Sequence, residues 1–245
     1  MPAGIVTVSH HAAPELVARA RDVAARCGLP FIEAADSFPR VVIERNGARL
    51  EMGDAVTRSH PGIGLVRLRR LIKESESDPL LDLAELSAGN TVLDATFGFG
   101  QDALILAHVA AKVVALEASP LLAALALAGM PFWSRPANEV SKRIELRCAD
   151  LRTVLPSLPD RSFDLVYFDP MFRRARSAAP DFAVLRRVAE MAPLTPEDIV
   201  QARRIARRCV IVKDAFPGAE LKRLGIPAIR SRRSAEIVFG RLPVP

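Results

Sequence analysis

The sequence predicts a doubly wound, Rossmann-like α/β sheet preceded by a small N-terminal α+β extension, and three observations carry that prediction. From Leu81 onward, short apolar runs bounded by Gly, Asp or Pro alternate with helical stretches. This is the pattern of βαβ units, which bury a parallel sheet under helices on both faces. Several of those strand candidates end in a carboxylate or a glycine turn, and ligands of such sheets bind at the carboxyl ends of strands, near the topological switch point. Before Leu65, by contrast, a helix and an Asn-Gly hairpin stand outside the alternation. The expected division is therefore residues 1–64 for the extension and 65–245 for the sheet domain.

In chain order, residues 14–27 place Leu16, Ala20, Val23, Ala24 and Cys27 at helical spacing, closed by Gly28 and Pro30. Residues 41–45 and 48–52 are β-type runs about Asn46-Gly47, a pair suited to a hairpin turn in which both central residues need positive φ. Residues 53–64 read as a loop, and 65–74 as a basic amphipathic helix with Leu65, Leu68 and Ile72 on one side and Arg67, Arg69 and Arg70 elsewhere. Strands are expected at 91–94, 112–117, 144–148, 163–168, 209–213 and 236–240, and helices at 102–111, 120–128 and 151–158. Arg203, Arg204, Arg207 and Arg208 read as the solvated face of a helix before the 209–213 strand.

Composition narrows the class. Half of the 245 residues are hydrophobic, enough to pack a core at this length. Charged residues make up 25%, an ordinary globular share that argues against bulk disorder. The net charge of +6 is carried by arginine and favours a polyanionic partner, because Lys and Arg neutralise phosphates and release counterions. Cys27, Cys148 and Cys209 are far apart with no C-x-x-C pair. They read as buried thiols, with neither a zinc site nor a disulfide framework, in keeping with a reducing cytoplasm. The N-terminus lacks a basic region followed by an apolar run, so no signal peptide is expected. No uncharged apolar stretch reaches the length of a membrane span. His10, His11 and His60 offer no metal geometry, and no metal is expected.

The chemistry should sit after the strands. In Val92-Leu93-Asp94-Ala95-Thr96-Phe97-Gly98-Phe99-Gly100-Gln101-Asp102 an apolar strand ends in a carboxylate, makes a Gly-x-Gly turn and opens a helix. Without a Cβ, Gly98 and Gly100 let the backbone turn sharply and approach a ligand closely. With Ala103 the run also fits a dinucleotide fingerprint. Asp94 shifts the choice of ligand, since a buried anion repels a pyrophosphate but can pair with the positively charged aminoacyl end of S-adenosylmethionine. Glu117, at the next strand end, can accept hydrogen bonds from both ribose hydroxyls, which suits NAD and S-adenosylmethionine alike. Asp150 suits the adenine amino group, with the Leu151 N–H on a ring nitrogen, and equally suits the N-cap of the following helix.

Asp169-Pro170-Met171-Phe172, ending the 163–168 strand, decides between them. An NAD site has no need of it, whereas amino-methylating enzymes of nucleic acids carry a close relative. An exocyclic base amine is a poor nucleophile because its lone pair is delocalised into the ring. The Asp169 carboxylate and Pro170 carbonyl can accept both amine protons and turn the lone pair toward a sulfonium methyl, a gain of orientation and preorganised electrostatics. Phe172 would stack on an extruded base. Arg173, Arg174 and Arg176 follow directly, as a cationic rim for phosphates. An NAD-dependent oxidoreductase, a methyltransferase of another nucleic-acid amine, a protein or a small molecule, and a non-catalytic RNA-binding protein that kept the fold are the rival readings.

Four runs together resemble a known family: residues 94–103, 116–120, 167–172 and Val210-Ile211-Val212-Lys213 are similar to the RsmJ family of 16S ribosomal RNA guanine-N2 methyltransferases. The resemblance covers roughly residues 53–240, with Asp-Pro-Met-Phe its most specific part. It implies a class I methyltransferase sheet, S-adenosylmethionine as cofactor, and ribosomal RNA or the small ribosomal subunit as partner. It also implies cofactor contacts at Gln101, Asp102, Glu117, Ala118, Ala149, Asp150 and Asp169. The family commonly has Arg where Gln101 and Ala118 stand, Ser-Ser where Ala149-Asp150 stands, and Pro where Arg173 stands.

Overall fold

The computed structural model describes residues 4–74, 76–170, 184, 187–189, 191–230 and 236–245. The first of its two sheets is built from β1 (Ile5–Thr7), β2 (Arg40–Glu44), β3 (Gly47–Glu51) and β4 (Val56–Arg58), in that order. β1 runs parallel to β2, and the other neighbours are antiparallel. Helix α1 (Pro14–Cys27) connects β1 to β2 and ends at Gly28, whose φ of 63° lets its N–H reach the carbonyls of Ala24 and Ala25. The hairpin forms one residue earlier than the sequence suggested. Glu44 pairs with Gly47, so Arg45 and Asn46 make the turn and only Gly47 takes positive φ, at 143°. β1 and β4 were not anticipated. A three-residue edge strand such as β4, with only Thr57 buried, is too short to show a period.

The larger sheet contains β5 (Thr91–Asp94), β6 (Lys112–Glu117), β7 (Ile144–Cys148), β8 (Phe163–Phe168), β9 (Ala206–Ala215), β10 (Ile229–Arg230) and β11 (Ile237–Pro243). Its order is β10-β11-β9-β8-β5-β6-β7. The five strands β7, β6, β5, β8 and β9 are parallel, while β11 is antiparallel to both β9 and β10. β5 pairs with β6 on one side and β8 on the other, so the chain reverses its direction of winding there and leaves a crevice past the carboxyl ends of β5 and β8. This is the doubly wound sheet that the alternation predicts. β9 is longer than expected because it pairs with β8 from Ala206, opposite Phe163, and with β11 out to Ala215, opposite Ile237. Arg207 and Arg208 are therefore strand residues, and Arg204 donates to the carbonyls of Leu155 and Leu158 instead of facing solvent.

The helices around the sheets are α2 (Gly62–Lys73), α3 (Pro79–Ala84), α4 (Gln101–Val109), α5 (Pro120–Gly129), α6 (Ala137–Ser141), α7 (Leu151–Val154), α8 (Pro196–Ile205) and α9 (Ala219–Arg223). α2 begins at Gly62, so it runs through the expected boundary at residue 64. Alternate residues of β8 enter different layers. Leu165 and Tyr167 join Leu104 and Leu68 on one face, and Val166 and Phe168 join Ile199 and Val210 on the other. The smaller sheet contributes Val41, Ile43 and Leu50 to a third cluster with Val23 of α1 and Leu121 and Leu125 of α5. Cys27, Cys148 and Cys209 are free thiols. Among the described residues no helix is long and apolar enough to cross a membrane, and no cluster of three or more His, Cys, Asp or Glu could hold a metal ion.

Candidate active site

The turn after β5 is shaped by its glycines. Gly98 has φ 56° and open space where a Cβ would stand, leaving its backbone approachable. At Gly100, φ is 71° and a Cβ would lie 2.4 Å from the Phe97 ring, so only glycine lets the chain enter α4 here. Glu117, buried at the end of β6, braces the turn: its carboxylate accepts from the N–H of Gly98 and the N–H of Ser119, each at 2.8 Å. Asp150 caps α7 by accepting from the Arg152 N–H at 2.8 Å, and the Ala149 N–H donates to the Glu117 carbonyl at 2.9 Å.

These strand ends enclose a cleft of about 650 Å³, open to solvent, whose walls include Gly98, Glu117, Ala118, Asp150, Asp169 and Pro170. Asp94, Gly100, Gln101, Asp102 and Ala149 do not line it. Asp94 is buried at the end of β5 and accepts from the Thr96 N–H at 3.1 Å. Burial pushes its carboxyl up to about 8, with Asp102, Asp169 and Glu117 adding to the rise. Gln101 opens α4 against α2: a Cβ on Gly64 would lie 2.9 Å from its carbonyl oxygen. Phe172, Arg173, Arg174 and Arg176 lie outside the described residues.

Asp102 belongs to a different structure, a chain of buried charges behind the cleft. One of its oxygens accepts from Arg67 of α2. The other accepts from the Tyr167 hydroxyl and the Lys213 ammonium, both at 2.7 Å. Lys213 also donates to Asp169 at 2.8 Å, and Arg67 forms two parallel bonds to Asp78, both at 2.9 Å. The backbone N–H of Asp169 is anchored on the Thr96 hydroxyl at 2.6 Å. Despite its burial, Asp102 is held far below the usual carboxylate range by Lys213 and Arg67. Asp169 has only its share of Lys213, and burial together with Asp102 pushes it up, to about 6.

Arg67 is thus committed to Asp78 and Asp102 and forms no basic surface with Arg69 and Arg70, which are exposed. Sequence reasoning missed Lys213, Tyr167, Thr96 and Asp78 as parts of the site. Lys213 and Tyr167 did carry a signal, since both sit at the ends of expected strands beside Asp169. Thr96 and Asp78 carried none.

A seven-stranded sheet with one antiparallel strand near its edge, and a cleft bounded by Gly98, Glu117, Asp150 and Asp169 over the switch point, define a class I S-adenosylmethionine-dependent methyltransferase. The chain belongs to the family described as "Putative SAM-dependent methyltransferase", whose profile matches residues 63–224. It is 33% identical over 187 residues to the uncharacterized protein YpiP of Bacillus subtilis, covering 74% of this chain and 72% of that protein. Over 219 residues it is 29% identical to ribosomal RNA small subunit methyltransferase J of Thioalkalivibrio sulfidiphilus, covering 83% and 85%. The solved structure of the SAM-dependent methyltransferase NGO1261 from Neisseria gonorrhoeae superposes with a TM-score of 0.66 at 20% identity, over 97% of this chain and 95% of that one. S-adenosylmethionine is the cofactor, and the family resemblance to RsmJ holds.

Proposed function

We propose that this methyltransferase modifies the exocyclic N2 amine of a guanine in small-subunit ribosomal RNA, free or assembled, in the cytoplasm. The observation that carries the reading is the placement of Asp169 and Pro170 on the wall of the cleft that also holds Gly98 and Glu117. The names of the relatives called ribosomal RNA small subunit methyltransferase J support the choice of RNA.

S-adenosylmethionine supplies an electrophilic methyl group on a sulfonium sulfur. Glu117 would hold the ribose hydroxyls, Asp150 and Leu151 the adenine, and the open backbone at Gly98 the aminoacyl end, with Ala118 on the same wall. Asp94, behind the wall, would support the turn through the Thr96 N–H and lend negative charge to the aminoacyl end. At the acceptor end, the Asp169 carboxylate and the Pro170 carbonyl would receive the two amine protons and aim the lone pair. As the N–C bond forms and the methyl–sulfur bond breaks, leaving the neutral thioether S-adenosylhomocysteine, the nitrogen would become cationic; an ionised Asp169 beside it would stabilise that charge and take the proton the nitrogen sheds. Phe172 would stack on the base, and Arg173, Arg174 and Arg176 would track phosphates.

The test offers 16S rRNA, 23S rRNA, transfer RNA and assembled small subunits side by side with a labelled methyl donor, then maps the label. Label confined to a guanine N2 of 16S rRNA is the expected result. Label in protein, or in no RNA, overturns the reading.

A further inference from the structure

We propose that Lys213 is a positioning residue for the methyl-acceptor carboxylate: anchored on Asp102, its ammonium pins one oxygen of Asp169 and holds that side chain ionised, leaving the other oxygen for the target amine. The inference rests on the proposed role of Asp169 and adds the group that makes Asp169 able to play it.

The geometry comes from two parallel strands. Phe168 of β8 is in register with Val212 of β9, so Asp169, just past the end of β8, lies beside Lys213, still within β9, and the two meet at 2.8 Å. The ammonium is also tied to Asp102 at 2.7 Å, so it cannot swing freely toward solvent, and only 15% of its side chain is exposed. Asp102 is fixed in turn by the Tyr167 hydroxyl and by Arg67, which Asp78 grips on two sides. The whole chain is a rigid mount reaching from α2 to the cleft.

Its charge balance explains the arrangement. Arg67 and Lys213 are two cations facing three carboxylates: Asp78, Asp102 and Asp169. Asp102 draws on both cations and Asp169 on a share of one, so the uncompensated negative charge settles on Asp169, at the cleft. That is where a sulfonium and a nitrogen turning cationic need it. The groups that face Asp169 are Asp94 from β5, Asp102 from α4, Tyr167 from its own strand and Lys213 from β9; Glu117 from β6 acts on Asp94. Among the described groups Lys213 is the cation, and without it burial favours the protonated acid. A protonated Asp169 would turn from acceptor into donor and meet the amine protons head-on.

The test uses the full chain with 13C-carboxyl-labelled Asp, the Asp169 resonance being assigned by its loss in Asp169→Asn. Because Lys213→Met alone would leave buried carboxylates uncompensated, the main variant is Lys213→Met/Asp102→Asn, which removes one charge of each sign. Measured against Asp102→Asn alone, which isolates the Lys213 charge, the Asp169 titration midpoint should rise by about one pH unit or more. The acid limb of the methylation rate should move up with it, giving at least roughly tenfold lower turnover on that limb and recovery at alkaline pH. S-adenosylhomocysteine affinity should stay within about twofold at a pH above both midpoints, and Lys213→Arg should restore the wild-type midpoint. An unmoved midpoint, or a loss of turnover equal at every pH, overturns the proposal. Should the wild-type protein methylate no RNA, the carboxyl titration still decides the matter, so the two ideas fail separately.

Discussion

The two sides of the cleft are held by different physics. On the cofactor side the carboxylates are fed by backbone donors: Glu117 by Gly98 and Ser119, Asp150 by Arg152, Asp94 by Thr96. On the acceptor side, side chain meets side chain, with Arg67, Asp102, Tyr167, Asp169 and Lys213 brought from α2, α4, β8 and β9 across sequence separations of 35 to 111 residues. Backbone donors stay in place whichever side chain is replaced nearby, and they can be exchanged for a ligand's hydroxyls. A buried ionic chain has no such tolerance, because losing one member strands the others without compensation.

Asp102→Ala should therefore give the largest effect. It leaves Lys213 and Arg67 with too few carboxylates in a buried setting, and a loss of about 3–5 kcal/mol is expected in urea unfolding. The sign with pH follows from its depressed carboxyl. The stabilisation from Asp102 is complete above the ordinary carboxylate pKa of roughly 3.9 and fades as pH falls below it, so wild type and variant should converge in acid. Unchanged unfolding in the variant would erase the contrast between the two sides. Next in size is Asp169→Asn, which keeps the shape but loses the charge. Turnover should drop on the order of 10²–10³-fold with cofactor affinity nearly intact. A normal rate would mean that the amine is not oriented by Asp169.

What was legible in the sequence follows the same divide. β5, β6 and β8 could be read to the residue because each is a largely apolar run closed by Asp, Glu or Phe before a turn, and β7 because Ile144, Leu146 and Cys148 alternate with Glu145 and Arg147. Gly98, Glu117, Asp150 and Asp169 could be proposed because a strand-end site is local in sequence. Arg67 was misread as part of a basic face because a helical wheel shows which residues share a side and not which carboxylates arrive from elsewhere. The tie from Asp102 to Lys213 was hidden for a related reason: nothing near Asp102 in sequence announces a partner 111 residues on. The hairpin turn slipped by one residue because Asn46 kept negative φ and only Gly47 took the positive value.

A smaller effect isolates the cofactor side. Glu117→Ala removes both acceptor oxygens and the brace on Gly98 and Ser119. S-adenosylmethionine binding should weaken at least about tenfold, equivalent to roughly 1.4 kcal/mol, while turnover at saturating cofactor changes far less. Calorimetry reads the first and initial rates the second. If Glu117→Ala instead harms turnover as much as Asp169→Asn, the two sides do not act separately.

The smallest effect concerns the outer surface of α2, where Arg67 and its neighbours part company. Arg67 is neutralised by Asp78 and Asp102, whereas Arg69 and Arg70 are exposed. Of the three arginines, a phosphate backbone passing α2 would meet Arg69 and Arg70, with Lys73 exposed at the end of the same helix. Each phosphate contact with single-stranded RNA contributes about 0.7 to the log–log salt slope, so Arg69→Ala/Arg70→Ala should flatten that slope by about 1.4 if both touch phosphate. Over a fourfold rise in salt each contact accounts for about a 2.6-fold loss of affinity, close to 0.6 kcal/mol and well below the effects above. Filter binding of 16S rRNA across a salt series measures it, with S-adenosylhomocysteine affinity as the control that should not move. An unaltered slope takes α2 out of the RNA path and leaves the residues after Pro170 to carry the phosphate contacts. A changed slope together with changed cofactor affinity would show that the α2–α4 contact at Gly64 and Gln101 links RNA docking to the cofactor turn.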